Sequence, residues 1–266
     1  AKYAAEGVNV HYACATRGEA GEANPEHLQG YASLGDLRWH EVECAARRLG
    51  VTALHYLGYR DSGMAGAPDN RHPRALCQAN PAELVGKLVA LIRAARPDVV
   101  LTFDPHGGYG HPDHITIHRA ATQAFFAAGD AAQYTDQIAA GLTAWAPHKL
   151  YYTAFSTRAL KVMLLAMRLA GKDPTRFGRN QDINLAEIAA RAPHITTRID
   201  ITPYLEVREQ ARACHQSQGG GHGGVFGWIP LPLRRALLGL DTETFTRVYP
   251  PADRCTREKD LFAGVR

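Results

Sequence analysis

The stretch that organises this chain runs from Leu101 to Ala120 and reads LTFDPHGGYGHPDHITIHRA. Its first residues complete the apolar run 99–103, which predicts a buried parallel strand. A loop rich in glycine and histidine follows, and then a segment that predicts a helix, with His118 one turn after His114. Open α/β sheets place their chemistry where a strand ends and a loop leads into a helix. This stretch is therefore the first candidate for a functional site.

Strands and helices alternate along the chain, which predicts an α/β fold with a Rossmann-like, mainly parallel sheet and helices on both faces. A length of 266 residues with 45% hydrophobic content favours a single domain over residues 1–266. Strands are expected at 8–15, 53–57, 98–103, 149–154, 195–201 and 244–249. Helices are expected at 34–49, 80–95, 112–128, 157–170 and 203–215, and near 231–239.

Composition excludes several classes of function. The formal charge of +4 is mild, and no Lys/Arg run exceeds a pair, which argues against nucleic acid as a partner. No apolar run reaches the length of a transmembrane span, so no stable membrane insertion is expected. The five cysteines are odd in number, scattered and never in a C-x-x-C pair. They predict neither a disulfide framework nor a zinc knuckle, and they favour a reducing, cytoplasmic compartment.

The motif His111-Pro112-Asp113-His114 leaves two interpretations open when it is taken alone. Imidazole is a common zinc ligand, and a nearby carboxylate can fix its tautomer. The same residues also suit a helix start in which Asp113 is the cap and the histidines face solvent. The glycines at 107, 108 and 110 favour metal or ligand binding, because they let the backbone approach a ligand closely. No Gly-Lys-Ser/Thr follows them, so they form no P-loop.

Five separated motifs together resemble one known family. They are Gly18-Glu19-Ala20-Gly21-Glu22, Arg38 with Glu41, Arg60-Asp61-Ser62-Gly63-Met64, the segment 104–114 (DPHGGYGHPDH), and His215-Gln216-Ser217-Gln218. The chain resembles the LmbE-like, or PIG-L, family of zinc-dependent N-acetylglucosaminyl deacetylases over most of its length. The Arg-Asp-Ser-Gly-Met loop resembles the branch that contains the mycothiol-pathway deacetylase and amidase.

The resemblance implies a role for each matching residue. His114 corresponds to a zinc ligand, His111 to the residue that stabilises the oxyanion, and Asp113 to the residue that orients His111. Tyr109 corresponds to a tyrosine that can swing towards the substrate. Arg38 and Asp61 match positions that hold sugar hydroxyls. The implied substrate-binding residues are Glu22, Arg38, Asp61, Tyr109, His215 and Gln218.

Three further features have a plainer interpretation beside the functional one. His118 could chelate a metal from the same helical face as His114, although a surface or supporting position is the commoner case for such a histidine. His215 and Gln218 could simply be polar residues at a helix end. The amphipathic segment Leu160–Leu169 could lie on a membrane surface, pack on the core or cover a hydrophobic part of the substrate.

One family motif is absent from residues 1–266. In the family, an Ala-His-Pro-Asp-Asp-Glu segment on a first central strand supplies two more zinc ligands, a His and an Asp, and the general base. Residues 1–6 look like the end of a helix closed by Gly7. We therefore expect an N-terminal truncation, with the first central strand missing between strands 8–15 and 98–103. Under that expectation His114 is the one sure metal ligand, and a three-ligand zinc site loses useful affinity.

For the complete protein, the resemblance implies Zn²⁺-dependent hydrolysis of the N-acetyl group of a small, N-acetylglucosamine-containing molecule. One alternative is an amidase that acts on a thiol conjugate of an amino sugar. For residues 1–266 as they stand, another alternative is a non-catalytic, metal-free, carbohydrate-binding remnant that uses Arg38 and Asp61. The sequence names neither the sugar nor its aglycone, and a homo-oligomer remains open. The glycine loop 219–224 with His222 is a flap or a linker.

Overall fold

The computed structural model describes residues 1–177, 181, 183–219, 239 and 241–265. Residues 220–224 of the expected glycine loop and 231–238 of the expected short helix lie outside the described residues. The strands are β1 (His11–Cys14), β2 (Ala53–Tyr56), β3 (Val99–Thr102), β4 (Lys149–Thr153), β5 (Thr197–Asp200) and β6 (Thr242–Tyr249). The helices are α1 (Lys2–Ala5), α2 (Leu34–Leu49), α3 (Pro81–Ala95), α4 (Gly107–Gly110), α5 (Pro112–Ala127), α6 (Thr135–Ala139), α7 (Thr157–Leu169), α8 (Leu185–Arg191) and α9 (Leu205–Ala213).

The chain divides into two compact units. The first unit comprises Ala1–Ala79 and Ile201–Pro230, and it contains α1, β1, α2, β2 and α9. The second unit comprises Asn80–Asp200 and Leu231–Arg266, and it contains the other elements. Each unit has a sheet of its own: β1 pairs with β2 in the first, and the order in the second is β3-β4-β6-β5.

Strand directions confirm the predicted α/β class and add antiparallel pairs to it. The pairs β1–β2 and β3–β4 are parallel, whereas β6 runs antiparallel to both β4 and β5. The second sheet is mixed because β6, from the C-terminal part of the chain, lies between β4 and β5. Within the described residues, β1 pairs only with β2, and β3 pairs only with β4.

Helix α2 has the bounds that its sequence predicts, since both of its ends carry caps. The Ser33 hydroxyl accepts a hydrogen bond from the backbone N–H of Asp36 (3.1 Å), and Gly50 ends the helix with a φ of +74°. Leu37 and Ala45 are buried on its inner face, and Glu41 lies between them with only 4% of its surface exposed. A carboxylate thus occupies the middle of an otherwise apolar stripe.

Helix α3 begins and ends as predicted and packs against α5. The Asn80 side chain accepts hydrogen bonds from the N–H groups of Ala82 (2.9 Å) and Glu83 (3.3 Å), and Pro81 occupies the first turn. Near its end, the buried Arg93 guanidinium donates to backbone carbonyls in the segment that follows α5, including those of Asp130 (2.8 Å) and Gln133 (2.9 Å). Arg93 therefore fixes the path of the chain after α5.

A buried carboxylate, Glu258, joins the strands of the second unit. It accepts hydrogen bonds from Lys149 Nζ (2.7 Å), Tyr151 Oη (2.8 Å), Thr197 Oγ1 (2.9 Å) and Arg247 Nη1 (2.7 Å). Burial pushes the pKa of Glu258 up, but the hydrogen bonds from Lys149, Tyr151 and Thr197 outweigh burial, and its pKa is lowered. Glu258 is therefore held as a charged group that ties β4, β5 and β6 together.

Helix α7 ends at Leu169, one residue before its predicted end. Leu160 and Met167 are buried, whereas Leu165 and Leu169 are 59% and 81% exposed. The helix therefore packs through one face and leaves two leucines in contact with solvent. None of the helices among the described residues combines the length and the apolar character that a membrane crossing needs.

Candidate active site

The loop after β3 is shaped by Asp104, whose side chain is buried. Asp104 Oδ1 accepts hydrogen bonds from the N–H groups of His106 (2.7 Å) and Gly108 (3.3 Å) and so closes a tight turn. Gly107 has a φ of +64°, and a Cβ there would lie 2.9 Å from both His114 Cβ and the backbone nitrogen of Ile115. Only glycine lets this loop pack so closely on the start of α5.

His114 is oriented by that loop. Its Nδ1 lies 3.1 Å from the carbonyl oxygen of Gly107. Because a carbonyl only accepts, Nδ1 carries the proton in this bond, and the lone pair of the neutral ring is on Nε2. The ring also stacks on Phe103, with centroids 3.9 Å apart and planes within 7°. Metal-binding histidines show this pattern, in which one ring nitrogen donates to a carbonyl and the other is left to bind the metal.

His111 is the N-cap of α5. Its Nδ1 accepts a hydrogen bond from the backbone N–H of Asp113 at 3.2 Å, so the proton of the neutral ring is on Nε2. The alternative in which Asp113 caps the helix is wrong, since the capping side chain is that of His111. Asp113 is buried, and one of its carboxylate oxygens lies within 4.8 Å of a ring nitrogen of His111. The two residues are thus close enough for the Asp113 charge to act on the His111 ring.

Tyr109 stands beside both histidines. Its ring meets His114 edge-on at 5.1 Å between centroids and His111 at 6.0 Å. Tyr109 also lines a cavity of about 140 Å³, which is bordered by Phe155 and by Arg191 of α8. The second unit therefore gathers Tyr109, His111, Asp113 and His114, the four predicted site residues that it contains, at the start of one helix.

His118 belongs to the scaffold of this region. Its Nδ1 lies 2.7 Å from the carbonyl oxygen of Phe103, and its ring meets Tyr152 edge-on at 4.6 Å. Burial lowers its pKa, against an opposing effect of the Phe103 hydrogen bond. A neutral histidine that donates to the end of β3 fixes where the loop departs. This contact supports the interpretation of His118 as a supporting residue.

The predicted residues of the first unit include Arg38, whose guanidinium reaches the loop 18–22. Nη1 donates to the carbonyl of Gly18 (2.7 Å) and Nη2 to that of Glu22 (3.3 Å). A Cβ at Gly18 or at Gly21 would collide with the guanidinium. Arg38 therefore holds the backbone of the loop, while the Glu22 residue is exposed. Contact of either side chain with a sugar stays a prediction.

Asp61 is buried in a loop that Glu19 fixes. The Glu19 carboxylate accepts hydrogen bonds from the backbone N–H groups of Arg17 (3.1 Å) and Asp61 (3.0 Å), and Asp61 Oδ1 accepts from the N–H of Gly63 (3.0 Å). Sequence reasoning quoted Glu19 only as part of a motif and gave it no role. An acidic side chain in a loop rich in glycine and small residues was the available signal, because such a loop offers unpaired backbone N–H groups.

His215 and Gln218 lie in the turn that follows α9, and both reach the surface to some degree. Between them, Ser217 is buried and bonded to Glu41 of α2, through Ser217 N to Glu41 Oε1 (2.7 Å) and Ser217 Oγ to Glu41 Oε2 (2.7 Å). His215 Nδ1 lies 4.0 Å from Glu41 Oε2. The turn is thus fixed by a helix that is remote in sequence.

The prediction against a disulfide is wrong for one pair of cysteines. Cys44 of α2 and Cys214 are joined by a disulfide, with a Cα–Cα distance of 5.8 Å. Cys14, Cys77 and Cys255 are free thiols. The pair is 170 residues apart in sequence, and no spacing rule links two cysteines at that separation. Because two of the five cysteines form a disulfide, the cysteine pattern no longer supports the prediction of a reducing, cytoplasmic compartment.

Comparison with known proteins decides the family. The family model described as "PIG-L: GlcNAc-PI de-N-acetylase" matches residues 1–125. A 1D-myo-inositol 2-acetamido-2-deoxy-alpha-D-glucopyranoside deacetylase of Nocardiopsis dassonvillei is 36% identical over 279 residues, which cover 100% of this chain and 94% of that protein. The chain belongs to the PIG-L family. The resemblance stated from the motifs is therefore confirmed.

Further comparisons extend this result over the whole chain. A Thermobifida fusca protein with the same deacetylase name is 39% identical over 277 residues, covering 99% of this chain and 92% of that one. Among solved structures, the N,N'-diacetylchitobiose deacetylase of Pyrococcus horikoshii has a TM-score of 0.58 at 20% identity, covering 93% of this chain and 75% of that one. At that identity, the structural likeness supports the PIG-L fold and not a substrate.

The donor atoms of the second unit fit a metal ion. His114 presents an Nε2 lone pair, and its ring is held by the Gly107 carbonyl and by Phe103. The His111 and His114 rings lie 5.0 Å apart between centroids, and a carboxylate oxygen of Asp113 lies within 4.8 Å of a ring nitrogen of His111. Imidazole and carboxylate suit several divalent metals, so this arrangement indicates metal binding without naming the ion.

Proposed function

We propose that this PIG-L family protein is a Zn²⁺-dependent deacetylase that hydrolyses the N-acetyl group of a small molecule containing N-acetylglucosamine. The observation that carries the proposal is the orientation of His114, which donates from Nδ1 to the Gly107 carbonyl, so that the lone pair that would bind a metal is on Nε2. The names of the relatives, all deacetylases of an acetamido sugar, support this reaction over cleavage of a thiol conjugate.

His114 would hold the metal, together with the His and the Asp that the family resemblance implies. Bound Zn²⁺ supplies Lewis-acid activation for the hydrolysis of an amide. The Gly107 carbonyl fixes the tautomer of His114, and the stack with Phe103 fixes the ring plane. Both contacts limit the rotation of the imidazole, which lowers the entropy lost when a metal binds.

His111 would stabilise the negative charge that develops on the acetamide oxygen. Its Nδ1 is occupied by the N–H of Asp113, so its mobile proton is on Nε2. That proton can be donated to the carbonyl oxygen as the tetrahedral centre forms. The capping bond from the Asp113 N–H limits the rotation of the His111 ring. Tyr109 lies edge-on to both histidines and would contact the same substrate group.

The finer proposal concerns the substrate. We assign 1D-myo-inositol 2-acetamido-2-deoxy-alpha-D-glucopyranoside, because relatives named for it match nearly the whole chain at 36–39% identity. Arg38 and the loop 18–22 that it holds, with Asp61 and the turn 215–218, supply polar groups suited to sugar hydroxyls. Zinc is the proposed metal.

The test measures acetate release from that substrate in the presence of Zn²⁺. Two forms are compared: residues 1–266, and the same chain with the family's Ala-His-Pro-Asp-Asp-Glu segment joined ahead of Ala1. We expect His114→Ala to abolish both zinc binding and turnover, a loss of at least ~1,000-fold in rate. His148→Ala removes a surface imidazole of the same unit, whose ring bonds Asp98, and should change neither.

Two results would contradict the proposal. One is that neither form releases acetate although zinc is bound. The other is unchanged zinc content and turnover in His114→Ala. Release of acetate only from the motif-bearing form would show that the Ala-His-Pro-Asp-Asp-Glu segment is needed for turnover. Cleavage of a thiol-conjugated amino sugar in preference to acetate release would favour the amidase alternative.

A further inference from the structure

The inner face of α2 carries a buried acid where apolar residues are expected. Glu41 is 4% exposed and lies one turn from Leu37 and from Ala45, both of which are buried. A carboxylate in such a place is costly unless hydrogen bonds compensate it. Its position therefore calls for an explanation in terms of what its oxygens contact.

Both carboxylate oxygens of Glu41 contact a single residue. Oε1 accepts from the backbone N–H of Ser217 and Oε2 from its hydroxyl, each at 2.7 Å. Hydrogen bonds to an ionised acceptor are short and strong, and a pair on one residue fixes orientation as well as position. Because Ser217 is itself buried, any displacement of the turn leaves the carboxylate without these donors inside the protein.

A second tie lies one turn further along the same helix. Cys44 follows Glu41 by three residues, so the two side chains share a face of α2. Cys44 is bonded covalently to Cys214, which immediately precedes the turn. Helix α2 therefore holds the turn at residue 214 and again at residue 217. We name these four residues, Glu41, Cys44, Cys214 and Ser217, the α2 latch.

The residues beside these two ties keep part of their surface exposed, although His215 Nδ1 is buried 4.0 Å from Glu41 Oε2. The His215 side chain is 31% exposed, and Gln218 is exposed. Glu41, Cys44, Cys214 and Gln216 also line a cavity of about 740 Å³, a volume within the range of small-molecule sites. The latch thus fixes the backbone of a turn in which Gln216 and Gln218 are exposed and His215 is partly exposed.

We propose that Glu41 is a positioning residue for substrate binding, and that the Cys44–Cys214 disulfide is its covalent counterpart. Together they hold the turn so that His215 and Gln218 meet the amino sugar in one fixed geometry. The identity of the ligand rests on the proposed function. The latch itself rests only on contacts within the first unit.

The two ties respond to different chemistry. A dithiol reductant breaks the Cys44–Cys214 bond: two electrons and two protons pass to the protein sulfurs, giving two thiols, and the reductant leaves as its disulfide. The Glu41–Ser217 bonds are untouched by this step. Reduction should therefore loosen one end of the turn and raise KM by roughly 2- to 5-fold, with kcat within about 2-fold of its original value.

The decisive variant is Glu41→Ala, assayed with the acetamido sugar named above in whichever form releases acetate. It removes both bonds to Ser217, and we expect KM to rise ~10-fold or more with kcat within about 2-fold, as for an interaction lost from substrate binding alone. Glu41→Gln keeps an acceptor for the Ser217 N–H and offers an amide donor to its hydroxyl, so it should restore KM to within about 3-fold. Glu43→Ala, on another face of α2, is the matched control.

Hydrogen exchange supplies a readout that needs neither metal nor turnover. The Ser217 amide, bonded to Glu41, should exchange at least ~10-fold faster in Glu41→Ala and stay protected in Glu43→Ala. If Glu41→Ala does not fold, Ser217→Ala and the reduced protein apply the same test, since each loosens one tie. A folded variant with a fast Ser217 amide and unchanged KM would overturn the proposal. Absence of acetate release from the unmodified protein would instead count against the proposed function, while the exchange result would still test the latch.

Discussion

The two regions that carry the predicted site residues are held in place in opposite ways. In the second unit, the histidines of segment 103–118 are fixed by neighbours within that segment, as with His114 on the Gly107 carbonyl and His118 on that of Phe103. In the first unit, the turn 214–218 is fixed by α2, through bonds that span 170 and 176 residues. The comparison shows that segment 103–118 is shaped by its own local contacts, whereas the turn depends on the folded unit around it.

This difference governs which substitutions should affect chemistry and which should affect binding. A side chain oriented by local backbone contacts keeps its geometry as long as its own loop is intact. A turn anchored from a distant helix loses its geometry when that anchor is removed. Substitutions at His111 and Gly107 test the local contacts of the second unit. A substitution at Glu258 tests a long-range anchor of the same unit, which lies outside the segment with the predicted site residues.

The largest effect is expected for His111→Ala. Loss of an oxyanion stabiliser typically lowers the rate by about 100- to 1,000-fold, and in the motif-bearing form zinc content should be unchanged because the implied ligands, His114 among them, are kept. His111→Ser is the matched variant, since serine can replace the cap on the Asp113 N–H without an imidazole. Zinc analysis and acetate release from both variants make the measurement. Recovery of turnover in His111→Ser would mean that His111 acts only as a helix cap.

A smaller, structural effect is expected for Gly107→Ala. The new Cβ would lie 2.9 Å from His114 Cβ and from backbone, so the loop must shift, at a cost of roughly 1–3 kcal/mol. Gly110 also has a positive φ, of +93°, but a Cβ there meets nothing within 4 Å. Urea unfolding of Gly107→Ala and Gly110→Ala therefore separates the clash from the backbone strain. Equal losses of stability in the two variants would show that the close approach to His114 carries no cost.

The smallest effect concerns the long-range acid of the second unit, Glu258. Its folded pKa is lowered, so its contribution to stability is complete above the unfolded carboxyl pKa of about 4.3 and is lost as pH falls through the folded value. The free energy of unfolding should therefore fall as pH drops below about 4.3, and Glu258→Gln should reduce this dependence. Asp136→Asn, at an exposed acid, should leave it unchanged. If Glu258→Gln raised KM and left the free energy of unfolding unaltered, Glu258 would act on substrate binding and not on stability. That result would contradict the distinction between a site held by local contacts and a distant anchor.

Much of the fold follows from local rules. Helices α2 and α3 begin and end where Ser33, Asn80 and Gly50 predict, because caps act through neighbouring backbone groups. Strand bounds agree less closely with the prediction: β5 spans Thr197–Asp200, which is shorter than the predicted 195–201. The antiparallel course of β6 could not be predicted, since strand order depends on which edges remain available once the other elements have packed.

The candidate site likewise has one part that local contacts shape and another part that tertiary packing shapes. The sequence by itself determined the strand, loop and helix of 99–127, the histidines at its turn and the family to which the chain belongs, because the hydrogen bonds that shape this segment join residues close in sequence. Only the tertiary structure decided that Glu41 is bonded to Ser217, that Cys44 is joined to Cys214, and that Arg38 holds the loop 18–22. These contacts arise when segments remote in sequence are packed together, and burial then requires each polar group to find whichever partner the fold has brought near.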